Sequence, residues 1–565
     1  MKPHTSLRSY PWKQAQKTLQ IMGDRWLDRL GNWNPQLLRE IKGNCTQRNL
    51  ILVSLAAIAT QVIFWIFWQN IAAETATVRS GSEPVYRFYC TGLRDGVERV
   101  LCERISATAF AVNWPLWWLD LFFGLSAILL GLLVLVGTQA LINNWAQESK
   151  QGTLAFIRMT PESSDRILLG KLLGAPALIH WAVLLALPLH TLAGLQGGLG
   201  LGGLLLVDGV AVALITTFYL LALFYASTIQ SKQGVSGWAF GLLGLFFYFP
   251  VLGVARAPMF LVLPLGSAPQ LNWFGQNVIA QPELLAGMAI AVLSSLSIAL
   301  WQSLTRRFDQ PDSTFSTKAQ SYWLTLGFNL FAIGFFVPWR QDQIHPWGVV
   351  GLAWGMVMTV WMALLLPPRQ TLLDWARYRH LHKSQDVRSG RSALKDWLWG
   401  DNSPSFLALL VNGAITIALW LPWALAFHGP TGVLVLLSIG CATLLMLLYA
   451  ALVQWVLLWN VRQPIAWAVG LLGIVMIGSI ALGVGLGLQD SANFWGWFWL
   501  MTPLASLLPS LISEVGNPIA LGAAGLAFAI NGLAAIAMFC VAMNQLDRLG
   551  LSESAALMRG DRLEP

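Results

Sequence analysis

The chain has 565 residues, of which 56% are hydrophobic, 12% aromatic and only 11% charged, with a formal net charge of +8. Ordinary soluble proteins carry roughly twice that share of charge, so the composition excludes a water-soluble globular chain and defines an integral membrane protein. The basic excess is of the kind that fixes orientation in a bilayer and gives no argument for nucleic acid as a partner.

Residues 1–49 are polar and basic, carrying Lys2, Arg8, Lys13, Lys17, Arg25, Arg29, Arg39, Lys42 and Arg48, with no early apolar region of a secretory signal. Within them Trp26, Leu30, Trp33, Leu37 and Ile41 recur at steps of three or four and draw one apolar stripe. Asn34-Pro35 reads as the cap and first position of a fresh helix, so two helical pieces are expected. A basic amphipathic helix directly before a first span lies in the interface, against membrane lipids.

A window of about 19 residues then finds about twelve apolar runs, predicting an all-α, polytopic transmembrane bundle. They lie near 50–72, 114–143, 172–194, 202–228, 235–255, 283–304, 322–338, 346–366, 405–427, 432–458, 465–487 and 517–542. The organisation expected is a first six-span unit over 50–305, a linker over 306–321, a second unit over 322–545 and a tail over 546–565. Basic residues put both termini on the cytoplasmic side of an inner (plasma) membrane, with Arg306-Arg307 and Arg369–Lys395 also inside. The first external loop, about 73–113, contains Cys90 and Cys102. An oxidised pair and two separate thiols are both compatible with their spacing. Cys45, Cys441 and Cys540 lie apart, and no zinc-type Cys/His spacing occurs.

Between the second and third runs, Trp145–Gly174 is polar yet patterned. Leu154 and Ile157, with Phe156 beside them, give a short amphipathic helix its apolar side, and Glu148, Lys150, Gln151 and Arg158 keep the rest in water. Thr160-Pro161-Glu162 is expected to restart a helix with Thr160 as its cap.

Farther on, the segments 257–282 and 488–515 carry Pro264, Pro269, Pro503 and Pro509 among apolar residues and are expected as re-entrant or interfacial helices. Two weak matches at nearly one offset suggest a repeat. Gln385–Gly390 reads like Gln147–Gly152, and Leu500–Ser506 reads like Leu261–Ser267. Two fused units, the second degenerate, is one reading; coincidence in an apolar sequence is the other. Ionisable residues inside the runs are few: Asp120, His180, His190 and Asp208. Asp120, His190 and Asp208 fall near run ends, within reach of water, and a substrate or proton role is the alternative. No Gly-x-x-x-x-Gly-Lys-Ser/Thr occurs, so the chain has no phosphate cradle of that type.

Asn34-Pro-Gln-Leu-Leu-Arg39-Glu40, then Glu148-Ser-Lys-Gln-Gly152-Thr153-Leu154, then Thr160-Pro161 and Arg166-Ile-Leu-Leu-Gly170-Lys171, resemble in order and spacing the membrane subunit of a type-2 ATP-binding-cassette exporter. The resemblance covers roughly residues 34–305. It implies that Asn34, Pro35, Leu37, Arg39 and Ile41 belong to an elbow helix. It further implies that Glu148, Gly152, Thr153, Leu154, Phe156, Ile157 and Arg158 belong to a coupling helix. The partners it implies are soluble ATPase subunits, which bind ATP and Mg; this chain has no cofactor or catalytic residue of its own. Lys150 and Ala155 depart from the family, which often has acids there. Leu154, Phe156 and Ile157 would fill an apolar groove of the partner, with Glu148 or Arg158 setting register. The substrate expected is an amphiphile or lipid-linked molecule. An ion-coupled carrier is the rival by topology, but it asks for acids at mid-membrane. A membrane-embedded transferase asks for a large external loop with carboxylate or His/Arg clusters. A structural scaffold remains if no transport path exists.

Overall fold

In a bilayer, an apolar run can satisfy its own backbone as a helix, and that is how the described runs fold. In the computed structural model, the described residues are 28–76, 86–228 with short gaps between 88 and 108, 272–278, 281–336 except 312, 347–383, 390–426, 430–461, 464–485 and 518–550. Among them, eight helices are long and apolar enough to cross a membrane, which makes this a multi-pass helical membrane protein. The chain divides into two units, Met1–Pro269 with Ile279–Asp309, and Gln270–Val278 with Gln310–Pro565.

The first unit holds α1 (Pro35–Asn44), α2 (Gln47–Ala76), strands β1 (Tyr86–Arg87), β2 (Arg94–Asp95) and β3 (Arg99–Leu101), and α3 (Trp114–Gln151). It continues with α4 (Thr153–Arg158), α5 (Ser164–Gly174), α6 (Ala177–Gln196), α7 (Gly200–Thr228) and α8 (Pro282–Asp309). Helix α2 leaves Ile51, Leu55, Ile63 and Phe67 more than half exposed, a face that suits lipid and not water. Its other side meets α6 and an aromatic group in which Trp117 donates from Nε1 to Trp68 O at 2.9 Å. The strands form a small sheet in the order β1-β3-β2. Cys90 and Cys102 are joined in a disulfide beside it, the oxidised alternative. Tyr89 anchors this loop by donating to Asp120 Oδ2 at 2.8 Å.

The second unit holds β4 (Asn272–Trp273), β5 (Gln276–Asn277), α9 (Lys318–Phe336), α10 (Trp347–Leu365), α11 (Arg369–Lys383) and α12 (Gly390–Trp399). Helices α13 (Phe406–Ala426), α14 (Pro430–Leu457), α15 (Pro464–Gly485) and α16 (Pro518–Gly550) complete it. Helix α14 is central, touching α10, α13, α15 and α16. Between α9 and α13 the contact is polar. Asn412 donates to Ser321 Oγ at 3.0 Å, Asn329 to Thr416 Oγ1 at 3.0 Å, and Trp420 to Asn329 Oδ1 at 2.9 Å. Such bonds fix helix pairs where lipid offers no hydrophobic drive for association.

Several expectations change. The runs at 322–338, 346–366 and 465–487 are helical as well, as α9, α10 and α15, beside the eight. The polar stripe Lys318, Ser321, Thr325 and Asn329 along α9 dilutes the first. The other two keep their length as helices, 19 residues in α10 and 22 in α15. The run 172–194 begins at Ala177, because Pro176 separates it from α5. Residues 272–277 form a β-hairpin where a short helix was expected. Its turn takes the positive φ values of Phe274 (45°) and Gly275 (84°), which suit a tight hairpin. The run 235–255, Trp26, and the segments 257–271 and 488–515 lie outside the described residues, as do most of the residues of the repeat.

Candidate functional site

The site grows out of the length of α3. Its 38 residues extend about 57 Å at 1.5 Å per residue, nearly twice a hydrocarbon core of about 30 Å. The last turns therefore stand clear of the bilayer. Gly152, in the left-handed conformation at φ 73°, ends the helix and reverses the chain. Glu148, Lys150 and Gln151 accordingly belong to α3, and only Thr153–Arg158 form the short helix α4. Thr153 donates to Glu148 O at 3.2 Å and closes the corner.

Helix α4 presents a different face from the one its pattern implied. Leu154 and Ile157 are buried within the chain's own core, in one cluster with Trp145, Ile167, Leu168 and Phe308. Phe156 is 68% exposed and Met159 76%. The apolar side chains free to meet a partner are thus Phe156 and Met159, while Leu154 and Ile157 hold α4 to α3, α5 and α8. Arg158 lies 5.2 Å from the centroid of the Phe308 ring. Thr160 does not cap a new helix. Its hydroxyl donates back to Ile157 O at 2.6 Å, and α5 begins after Ser163 with Asp165 in its first turn. Trp301 on α8 donates to Asp165 Oδ1 at 2.8 Å, fastening that turn.

Asn34 joins α1 to α5. Its Oδ1 accepts from Leu37 N at 2.8 Å, the expected cap, while Nδ2 donates to Arg166 O at 2.7 Å. Residues 28–33 are helical before it, so the two expected pieces are present. Pro35 occupies the first helical position. The buried face of α1 is Gln36, Leu37 and Glu40, with Ile41 half-buried and Trp33 exposed. Gly170 and Gly174, one turn apart on α5, let α1 approach closely.

Glu148, expected in water, is buried. Its carboxylate pairs with Arg39 from α1 and with Lys171 from α5. Lys171 is wholly buried, 3.8 Å from Glu40 and donating to Asn144 Oδ1 at 3.0 Å. Asn144 donates in turn to Glu40 Oε2 at 2.8 Å. Two cations and two carboxylates from three helices thus neutralise one another, the condition under which charges tolerate burial. Burial pushes the Lys171 amine below its ordinary range, and Glu148 opposes that. Residues Glu40, Asn144 and Lys171 carry no sign of this role in the sequence, where each is one polar residue in a helical pattern.

Elsewhere, Asp120 and His190 are buried rather than at the water's edge. His190 lies 4.0 Å from Asp208 and 2.8 Å from Ser126. Among the described residues no group of His, Cys, Asp or Glu is arranged to hold a metal ion. Comparison with protein-family models, curated proteins and solved structures gives no match.

Proposed function

We propose that this chain is the membrane permease subunit of an ATP-binding-cassette exporter. It moves an amphiphilic or lipid-linked substrate across an inner membrane with energy from separate ATPase subunits that bind ATP and Mg. The observation that carries this reading is the buried ion network of Arg39, Glu148, Lys171 and Glu40. It ties an interfacial helix, the projecting end of a long helix and α5 into one block whose tip exposes Phe156 and Met159. A block fastened in this way transmits a push from outside the bilayer, whereas a slack loop absorbs it. The elbow and coupling roles of α1 and α4, the twelve-span count, the cytoplasmic termini and the two-unit transport path belong to the same proposal.

The test is to purify the chain by gentle solubilisation and identify what accompanies it. A stoichiometric ATP-binding-cassette ATPase, lost on Phe156→Asp with Met159→Asp while the chain stays monodisperse, supports the reading. A monodisperse wild-type chain without any ATPase overturns it and promotes the ion-coupled carrier, which the pairing of buried His190 with Asp208 favours.

A further inference from the structure

His190 on α6 and Asp208 on α7 sit six and eight residues from the turn that joins their helices. That is roughly 10 Å along each helix axis, inside the spans rather than at their rims. Pro188 lies two residues before His190, where its missing N–H leaves α6 locally less braced. The His190 ring is buried and lies with its centroid 4.3 Å from that of Phe122.

Hydrogen-bond bookkeeping fixes the ring's tautomer. Ser126 Oγ is 2.8 Å from Phe122 O and 2.8 Å from His190 Nε2. Two oxygens at that distance need a proton between them, and a carbonyl has none to give. The hydroxyl proton therefore lies on the Phe122 side, and Nε2 must carry the hydrogen it shares with Ser126. In the neutral ring Nδ1 is then a bare acceptor. It is buried, has no hydrogen-bond partner, and faces Asp208 Oδ1 at 4.0 Å.

Two acceptors facing each other in a bilayer are unfavourable, and one proton removes the conflict. We propose that His190 and Asp208 form an intramembrane proton-binding site, with the proton carried on Nδ1 opposite the carboxylate. Uptake of one proton from water turns a neutral ring and a carboxylate into an ion pair, and the site's net charge goes from −1 to zero. Because the two groups lie on different helices, the bound proton draws α6 and α7 together. Other ionisable groups on the helices around it are few. Asp120 on α3 accepts from Tyr89, and His180 lies three turns away along α6. Helix α2 has none between Arg48 and Glu74, and α8 has none between Glu283 and Arg306. The site stands independently of the exporter reading, since it concerns binding of a proton and not its use.

The experiment is nitrogen NMR of the full chain in lipid nanodiscs, labelled at its seven histidines and titrated with acid. His190→Gln assigns the signal. In the wild type the alkaline form should be the Nε2–H tautomer, and acid should protonate Nδ1. Asp208→Asn should require about tenfold more acid for the same step, since the paired carboxylate is gone. Ser126→Ala, which removes the acceptor of Nε2–H, should populate the Nδ1–H tautomer at alkaline pH. An Nδ1–H tautomer in the wild type, equal midpoints with and without Asp208, or a ring neutral down to about pH 4 would each overturn the proposal.

Discussion

The side-chain amide of Asn34 donates to the main-chain oxygen of Arg166 at 2.7 Å, across 132 positions of sequence. The same amide's oxygen caps α1 at Leu37 N. One residue thus both starts a helix and fixes it to another. Asn34→Ala removes both bonds and should destabilise the chain by about 2 kcal/mol, roughly one for the cap and one for the cross-link. Asn34→Asp keeps the cap acceptor but sets an oxygen against the Arg166 carbonyl. Thermal unfolding in detergent separates the two roles. If the cap alone mattered, Asp would be silent; we expect it to cost at least as much as Ala.

Glu148 and Lys171 make a second test of the block. Lys171→Met leaves a buried carboxylate short of a partner and should cost about 3–5 kcal/mol. Glu148→Leu in the same chain removes that carboxylate as well. Arg39 is half exposed and can turn to water, so the double variant should recover much of the loss. A double variant less stable than Lys171→Met, measured by thermal unfolding, would show that the network does more than neutralise itself.

How the sequence foreshadows this site differs from residue to residue. Asn34-Pro35 states its role locally, because a cap needs only its own next turn. Cys90 and Cys102 left two outcomes open and form the bond. Glu148 is harder, since an acid in a helical pattern looks alike whether it faces water or an Arg39 supplied 109 residues earlier. Leu154 and Ile157 show the same limit. Their spacing marks an apolar face, but the surface that covers it includes Trp145 and Phe308 of the same chain. Thr160-Pro161 had suitable chemistry for a helix start, yet both the backbone N–H and the hydroxyl of Thr160 turn back to Ile157 O at the end of α4. Membrane spans were legible because a twenty-residue apolar run needs no partner to be read.

In the second unit, Lys318 stands at the first turn of α9, ahead of the apolar run, and donates to Trp397 O, Ser403 Oγ and Pro404 O at 2.7, 2.6 and 3.2 Å. Burial pushes its amine down to about 8 from an ordinary 10.5, against the opposing pull of Asp396 and Asp401. Below pH 8 both folded and unfolded chains hold this proton, and the cost of burying it is constant. Between about 8 and 10.5 the unfolded chain binds more protons, so the contribution of Lys318 to stability rises with pH. The full gain is on the order of 3 kcal/mol. Denaturant unfolding of wild type and Lys318→Met across that window should show a rise in their difference; parallel curves would refute it.

Gly170 offers the sharpest test that α1 and α5 act as one piece. A Cβ there would stand 2.8 Å from Asn34 Oδ1 and 2.8 Å from Leu37 N, and 2.9 Å from Gln36 Cβ. The backbone nitrogen of Leu37 cannot swing aside as a flexible side-chain end can, so α1 has to move as a whole. Gly170→Ala should cost about 1–3 kcal/mol by overpacking, despite the better helix propensity of alanine. Because it displaces the same contact that Asn34 makes, its cost should not add to that of Asn34→Ala. The double variant should fall short of the sum by about 1 kcal/mol in thermal unfolding. Gly152→Ala is the control, strained by its φ of 73° but with nothing within 4 Å of the added carbon. Its cost should add in full to Asn34→Ala, and equal additivity for both glycines would mean that α1 does not rest on Gly170.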